Sequence, residues 1–147
     1  MLPQHRPISP LFRFICIFVV IALFAGIAFT LLRDREEAPP PITEHAFESG
    51  HAIWSIDDYP AKVLHSNHFL IELTDLSGAP LQGAGLTVKL NMLNMICGDY
   101  EFSMTETAPG MYSGEGVPLM AGTWKAALTL VTGDHTYTII RVLRAIH

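Results

Sequence analysis

After Met1, the remaining five methionines fall in one window: Met92, Met95, Met104, Met111 and Met120. Inside it, Met92-Leu93-Asn94-Met95-Ile96-Cys97 sets two thioethers and a thiol within six residues. Soft sulfur ligands select Cu(I) over harder cations, and a linear or trigonal Cu(I) centre takes only two or three of them. If the chain is extended after Met95, then Met95 and Cys97 point the same way, with Met92 one bend away. Neighbouring strands would bring Met104 or Met120 alongside. The candidate metal ligands are therefore Met92, Met95, Cys97, Met104 and Met120. Packing competes with coordination. Met92 continues the inward parity of Leu86, Val88 and Leu90, and Met104 that of Tyr100 and Phe102, so both also read as core filler.

Other chemistry finds little footing. The chain has no GxSxG, no HExxH and no glycine-rich phosphate loop, and its Ser and His residues form no evident dyad. His65 and His68 are three apart, which puts them on opposite faces of a strand. Acidic residues are scattered singly, as on a solvated face. The sequence is expected not to be an enzyme, and no catalytic residue is assigned. Nucleic acid is not an expected partner either. The net charge is −5, and after Leu32 seven Lys or Arg face fourteen Asp or Glu, about −7 in all. Such a surface repels a phosphate backbone.

These residues need elements to position them, and 147 residues allow one domain plus a tail or anchor. Half of the chain is hydrophobic and 16% is charged, with the apolar excess concentrated in Phe14–Leu32, nineteen residues without a charge. A helix of that length crosses most of a hydrocarbon core of about 30 Å. A cleaved signal peptide would have a shorter apolar region ending at a small-x-small site, whereas this run meets Arg33-Asp34-Arg35-Glu36-Glu37. The expectation is a single-pass transmembrane anchor over 14–32 after a short tail, 1–13. Lys and Arg tie across its two ends, so orientation rests on the short N-terminal tail, which favours export of the remainder. Ala22, Gly26 and Thr30 make a small-xxx-small stripe suited to close approach by another membrane helix. Cys16 in the anchor and Cys97 in the distal part cannot pair within one domain, so the exported part holds a single thiol.

Residues 33–49, with Ala38-Pro39-Pro40-Pro41, read as a linker whose prolines favour an extended segment that holds a domain off the membrane. From 50 to 147 the pattern is alternation. Runs near Ala52–Ile56, Phe69–Leu73, Leu86–Met92, Tyr100–Met104, Met111–Glu115, Trp124–Val131 and Tyr137–Val142 are separated by Gly, Pro, Asp and Ser. Gly133-Asp134 between two apolar runs signals a hairpin. About seven short strands over this length predict a mainly β domain, an immunoglobulin-like antiparallel β-sandwich.

The order of signals resembles the FixH and YtkA-like family of exported β-sandwich domains. The matching residues are Phe69-Leu70-Ile71-Glu72-Leu73, Gly78-Ala79-Pro80-Leu81-Gln82-Gly83-Ala84 and Met92-x-x-Met95. Gly110-Met111-Tyr112-Ser113-Gly114 and Leu119-Met120-Ala121-Gly122-Thr123-Trp124 match most strongly. The resemblance covers about His51 to Arg141, and the anchor with a short tether fits the FixH arrangement. It implies a protein of the bacterial inner membrane with its C-terminal domain in the periplasm. The implied work is assembly or copper supply of a cbb-type cytochrome oxidase. Implied partners are inner-membrane proteins, such as a respiratory oxidase subunit or a copper-transporting ATPase, and the implied cofactor is Cu(I). YtkA-like relatives often carry a histidine after the paired methionines, where this chain has Cys97. The alternative expectation is a metal-free β-sandwich that acts as an interaction scaffold for a membrane complex.

Overall fold

The computed structural model describes residues 10–33, 38–95 and 98–147, with helix side chains described at 14, 15 and 17–28. The chain divides into two compact units, residues 1–37 and 38–147. The first contains one helix, α1 (Pro10–Arg33, 24 residues). Among the described residues, no helix is long and apolar enough to cross a membrane. The fourteen described helix side chains fall short of the about 20 that a span takes, so the anchor expected over 14–32 is not carried by the described residues alone. Ala22 and Gly26 of the small-residue stripe lie on α1, and the Thr30 side chain lies outside the described set.

The second unit is mainly β. It contains β1 (Ile42–Phe47), β2 (Gly50–Ile56), β3 (Ala61–Lys62), β4 (Asn67–Asp75) and β5 (Gly85–Met92), followed by β6 (Tyr100–Ala108), β7 (Met111–Gly116), β8 (Gly122–Thr132) and β9 (His135–Ile146). Alternation drives the pairing. In β4, Phe69, Ile71 and Leu73 are buried; in β5, Leu86, Val88 and Leu90; in β8, Trp124, Ala126, Leu128 and Leu130. Their neighbours in sequence face outward, as a period of two requires. The Gly133-Asp134 hairpin forms as expected, closing on Thr132 opposite His135.

The count of seven strands needs correction, because the described residues form nine, in a single sheet ordered β1-β2-β4-β7-β6-β5-β8-β9-β3. All seven expected strands are present. The additions are β1 and β3. β1 lies within the stretch expected to be a linker; its inward positions are Thr43, His45 and Phe47, too polar a set to read as a strand. β3 is two residues long and pairs parallel to β9, an exception to the antiparallel pattern.

One strand makes the sheet continuous. The first part of β6, Tyr100–Met104, pairs with β5, while Thr105–Ala108 turns to pair with β7 past an irregularity between Glu106 and Ala108. The sheet therefore curls upon itself into a sandwich-like body. Trp54, Phe69, Ile71 and Tyr112 come from one half and Val88, Leu90, Trp124, Leu128 and Leu143 from the other; all join one buried cluster.

Where β1 and β9 come near, the inward position Arg141 is a buried charge, 2% exposed. Its Nη1 donates to the Trp54 carbonyl at 2.8 Å and its Nη2 to the Pro40 carbonyl at 2.9 Å and the Pro41 carbonyl at 3.3 Å. The guanidinium also stacks over the Trp54 ring, 5.5 Å from its centroid. Burial lowers its pKa to about 10, so the cation persists at neutral pH. The chain is thus held to the domain from Pro40 onward, and two of the three expected spacer prolines belong to the folded body.

Candidate functional site: the sulfur-bearing loops

The strands bring one set of loops to the end of the domain where β1 begins, here termed the tether end. β5 finishes there with Met92, which pairs with Trp124 of β8. The Leu93 N–H continues the ladder by donating to the Thr123 carbonyl at 3.1 Å. Met92 is half-buried and packs on the core, and its methyl reaches the backbone at Gly122. A Cβ on Gly122 would sit 2.5 Å from that methyl, which a flexible thioether can move aside, and the residue's φ of +144° is what calls for glycine.

Beyond Met92 the β5–β6 loop runs over 93–99. Met95 on it is exposed. Ile96 and Cys97 lie outside the described residues, so the principal candidate thiol has a known place in the chain and no described position in space. The base of the loop is held from β5. The Lys89 ammonium lies 2.7 Å from the Asp99 carboxylate, and the Asn91 amide donates to the same side chain. These contacts hold the Asp99 carboxyl below the usual carboxylate range, the Lys89 bond first, and raise Lys89 in turn.

The β7–β8 loop, 117–121, lies against this one. A Cβ placed on Gly98 would be 3.4 Å from Leu119 Cδ1. Met120 is exposed on that loop, and its carbonyl accepts a hydrogen bond from the fully buried Trp124 indole at 2.9 Å. The indole therefore fixes the backbone beside the Met120 thioether, and Trp124 is the same residue that pairs with Met92. This link between the two loops was not an expectation from sequence. The closeness of Met120 and Trp124 in the chain is the signal that carried it.

Of the five candidate ligands, then, Met92, Met95 and Met120 belong to adjoining segments at one end. Met104 does not. It pairs with Leu86, six residues back along β5 from Met92, about 20 Å at the rise of a strand. It is 7% exposed within the core cluster. The inward parity that made it core filler decides its role. Among the described residues, no three His, Cys, Asp or Glu side chains gather as a metal-holding group. Among the side chains at this end, exposed thioethers such as Met95 and Met120 suit a soft monovalent cation.

Sequence reasoning missed a further feature. The tether end exposes Leu64, Leu93 and Leu119 beside the methionines. These positions sit in turns, where no periodicity marks a side chain as inward or outward. No family model, curated protein or solved structure matches the chain.

Proposed function

We propose that this chain is a membrane-anchored accessory protein for assembly or copper supply of a cbb-type cytochrome oxidase, with its β-domain on the periplasmic side of a bacterial inner membrane. Its partners are inner-membrane proteins, an oxidase subunit or a copper-transporting ATPase. The observation that carries this reading is the adjacency of Met92, Leu93 and Gly98 to the Met120 loop, which brings together two sulfur-bearing stretches of the FixH and YtkA-like resemblance. Met95, Cys97 and Met120 would hold Cu(I), with Met92 completing the set; Met104 is left to the core.

The anchor reading is supported by the uncharged run Phe14–Leu32 within α1. A 24-residue helix extends about 36 Å. Phe14, Phe18 and Phe24 are each at least 70% exposed, which calls for an apolar surrounding. The immunoglobulin-like reading is supported by the strand order. β2, β4, β7 and the end of β6 form one half, β6, β5, β8 and β9 the other, and β3 runs parallel to β9.

A metal-free scaffold is the second reading, favoured by Met104 in the core and Met92 packed against Gly122. One titration separates the two. The full chain in detergent is titrated with Cu(I) against a competing chromophoric chelator, with Cys97→Ser and Met104→Leu in parallel. One tightly bound Cu(I), weakened in Cys97→Ser and unchanged in Met104→Leu, is the expected result. A folded wild-type chain that binds none, or a Cys97→Ser chain that binds as tightly, overturns the copper reading and leaves the scaffold.

A further inference from the structure

On the connections of the tether end five large apolar side chains stand exposed: Leu64, Leu93, Met95, Leu119 and Met120, with Leu64 at 69%. They come from three connections that touch one another. The Leu64 N–H donates to the Pro118 carbonyl at 2.9 Å, Gly98 abuts Leu119, and Leu93 is tied to Thr123. Leu64 has φ +58°. That left-handed region favours glycine or asparagine, and a leucine there is costly unless its side chain is used. Inside the domain the side chain is not used, because most of it is exposed.

The chain itself arrives at this same end. Ile42, the first residue of β1, pairs with Ser55 beside the end of β2, and Arg141 holds the Pro40 and Pro41 carbonyls. Between Arg33, the last residue of α1, and Pro40 there are seven residue steps, at most about 25 Å even when fully extended. On the anchor reading, so short a tether would keep the domain close to the membrane surface.

We infer that the tether end of the β-domain rests in the interfacial layer of the bilayer, with Leu64 and Leu119 immersed among the lipids. The inference rests on the anchor reading proposed above. The occupant is the apolar boundary of the bilayer, not its headgroup charge. From Ala38 on the chain has five Lys or Arg against eleven Asp or Glu, and Asp57 and Asp58 precede β3 as Leu64 follows it. Anionic lipid is therefore not needed, and salt should not release the contact. This placement would also turn the sulfur-bearing loops toward membrane partners.

The test uses the full chain in phosphatidylcholine liposomes, with Cys16→Ala and Cys97→Ser removing the native thiols. Leu64→Cys, Leu119→Cys and, at the opposite end, Leu76→Cys are each labelled with bimane, and the lipids carry acyl-chain nitroxides. Labels at 64 and 119 are expected to be quenched severalfold more strongly than the label at 76, equally in low and high salt. Equal quenching at all three positions overturns the inference. So does a blue-shifted but unquenched label at 64 or 119, which would mean a protein partner or a second copy. Circular dichroism checks the fold of each variant, and two independent labels at the tether end guard against a local defect. Alkaline carbonate extraction separates the two failures. A chain stripped from the liposomes sinks the anchor reading and this inference together; a retained chain with unquenched labels sinks this inference alone.

Discussion

The two ends of the β-domain are finished in opposite ways. At the far end, polar groups close the β4–β5 and β6–β7 connections on the protein itself. The Asp75 carboxylate accepts from the Ser77 and Ala79 N–H groups at 2.8 and 2.9 Å. Glu106 accepts from Gly83 at 2.9 Å and Gly110 at 3.1 Å. The Tyr112 hydroxyl donates to the Leu81 carbonyl at 2.9 Å and accepts from the Ala84 N–H at 3.0 Å. Leu76 is exposed there, but among Asp75, Ser77 and Gly78 it stands alone. At the tether end the loops are held by backbone and side-chain bonds alike, the buried Asn67 amide donating to the Lys62, His65 and Gly116 carbonyls, while leucines and methionines face outward. The far end exposes one leucine on its connections, Leu76. The other leaves apolar and sulfur groups for something outside the domain, and the domain's stability and its proposed function should therefore separate by end.

The largest effect expected is at the far end. Gly110 has φ +72°, and a Cβ there would lie 2.7 Å from the Leu73 carbonyl oxygen and 2.9 Å from Pro80 Cβ. Backbone cannot move aside as a flexible side chain can. Gly110→Ala should cost about 3 kcal/mol in the denaturant unfolding of the chain, from left-handed strain plus the clash. A cost below about 1 kcal/mol would mean that the far end is looser than its hydrogen bonds suggest. Next comes Tyr112→Phe. It keeps the buried ring but strands the Ala84 N–H and removes the donor to Leu81, for an expected loss of about 1–2 kcal/mol. Cu(I) affinity should not change, because this hydroxyl serves the other end; a parallel loss of copper would break the separation.

The same contrast explains what the sequence made legible. Strands such as β5 and β8 were readable because Leu86, Val88 and Leu90, or Trp124, Ala126 and Leu128, bury every second residue. Parity also made Met104 read as core filler; Arg141, which follows Ile139 on the inward face of β9, is charged and gave no such sign. What stayed hidden depends on partners distant in sequence. β1 is a strand because β2 pairs with it, with Thr43, His45 and Phe47 turned inward. Arg141 can be buried because carbonyls about a hundred residues away accept its N–H groups. The sulfur cluster was half legible. Met92, Met95 and Cys97 are neighbours in the chain, whereas the contact of their loop with the Met120 loop is set by the sheet order. The exposed leucines gave no sign, since turns have no period.

Leu64→Asn gives a smaller effect, of the opposite sign. Asparagine tolerates the left-handed backbone better than leucine, and the exposed side chain contributes little packing to the domain. The unfolding free energy should stay level or rise by about 0.5 kcal/mol. A loss beyond about 1 kcal/mol would show that Leu64 packs within the domain, and would remove the ground for treating the tether end as unfinished.

The smallest effect is a pH dependence shared unequally between the ends. Asp75, Asp99 and Glu106 all have lowered pKa values: Asp75 first through the Ser77 side chain, Asp99 first through Lys89, and Glu106 first through the Gly83 N–H. A carboxyl with a depressed folded-state pKa binds its proton less readily when folded than when unfolded. Its stabilisation is therefore full above the ordinary carboxylate range and is lost as pH falls through the lowered value. The thermal midpoint of the chain should slip below about pH 6.5, where His45, its pKa lowered by burial and then by Arg141, resists the proton it takes when unfolded, and should decline further below about 4. Glu106→Gln should flatten part of that decline, because Glu106 joins two separate turns. Asp99→Asn should flatten less of it, because Asp99 only braces the base of one loop against Lys89 and Asn91. All three carboxylates are exposed, so solvent screens each contribution, and Asp99, held largely by a surface ion pair, is the one that salt should weaken most. If Asp99→Asn instead carried most of the acid sensitivity, the tether end would be held by its charges more firmly than its exposed loops imply, and the two ends would differ in chemistry alone rather than in completeness.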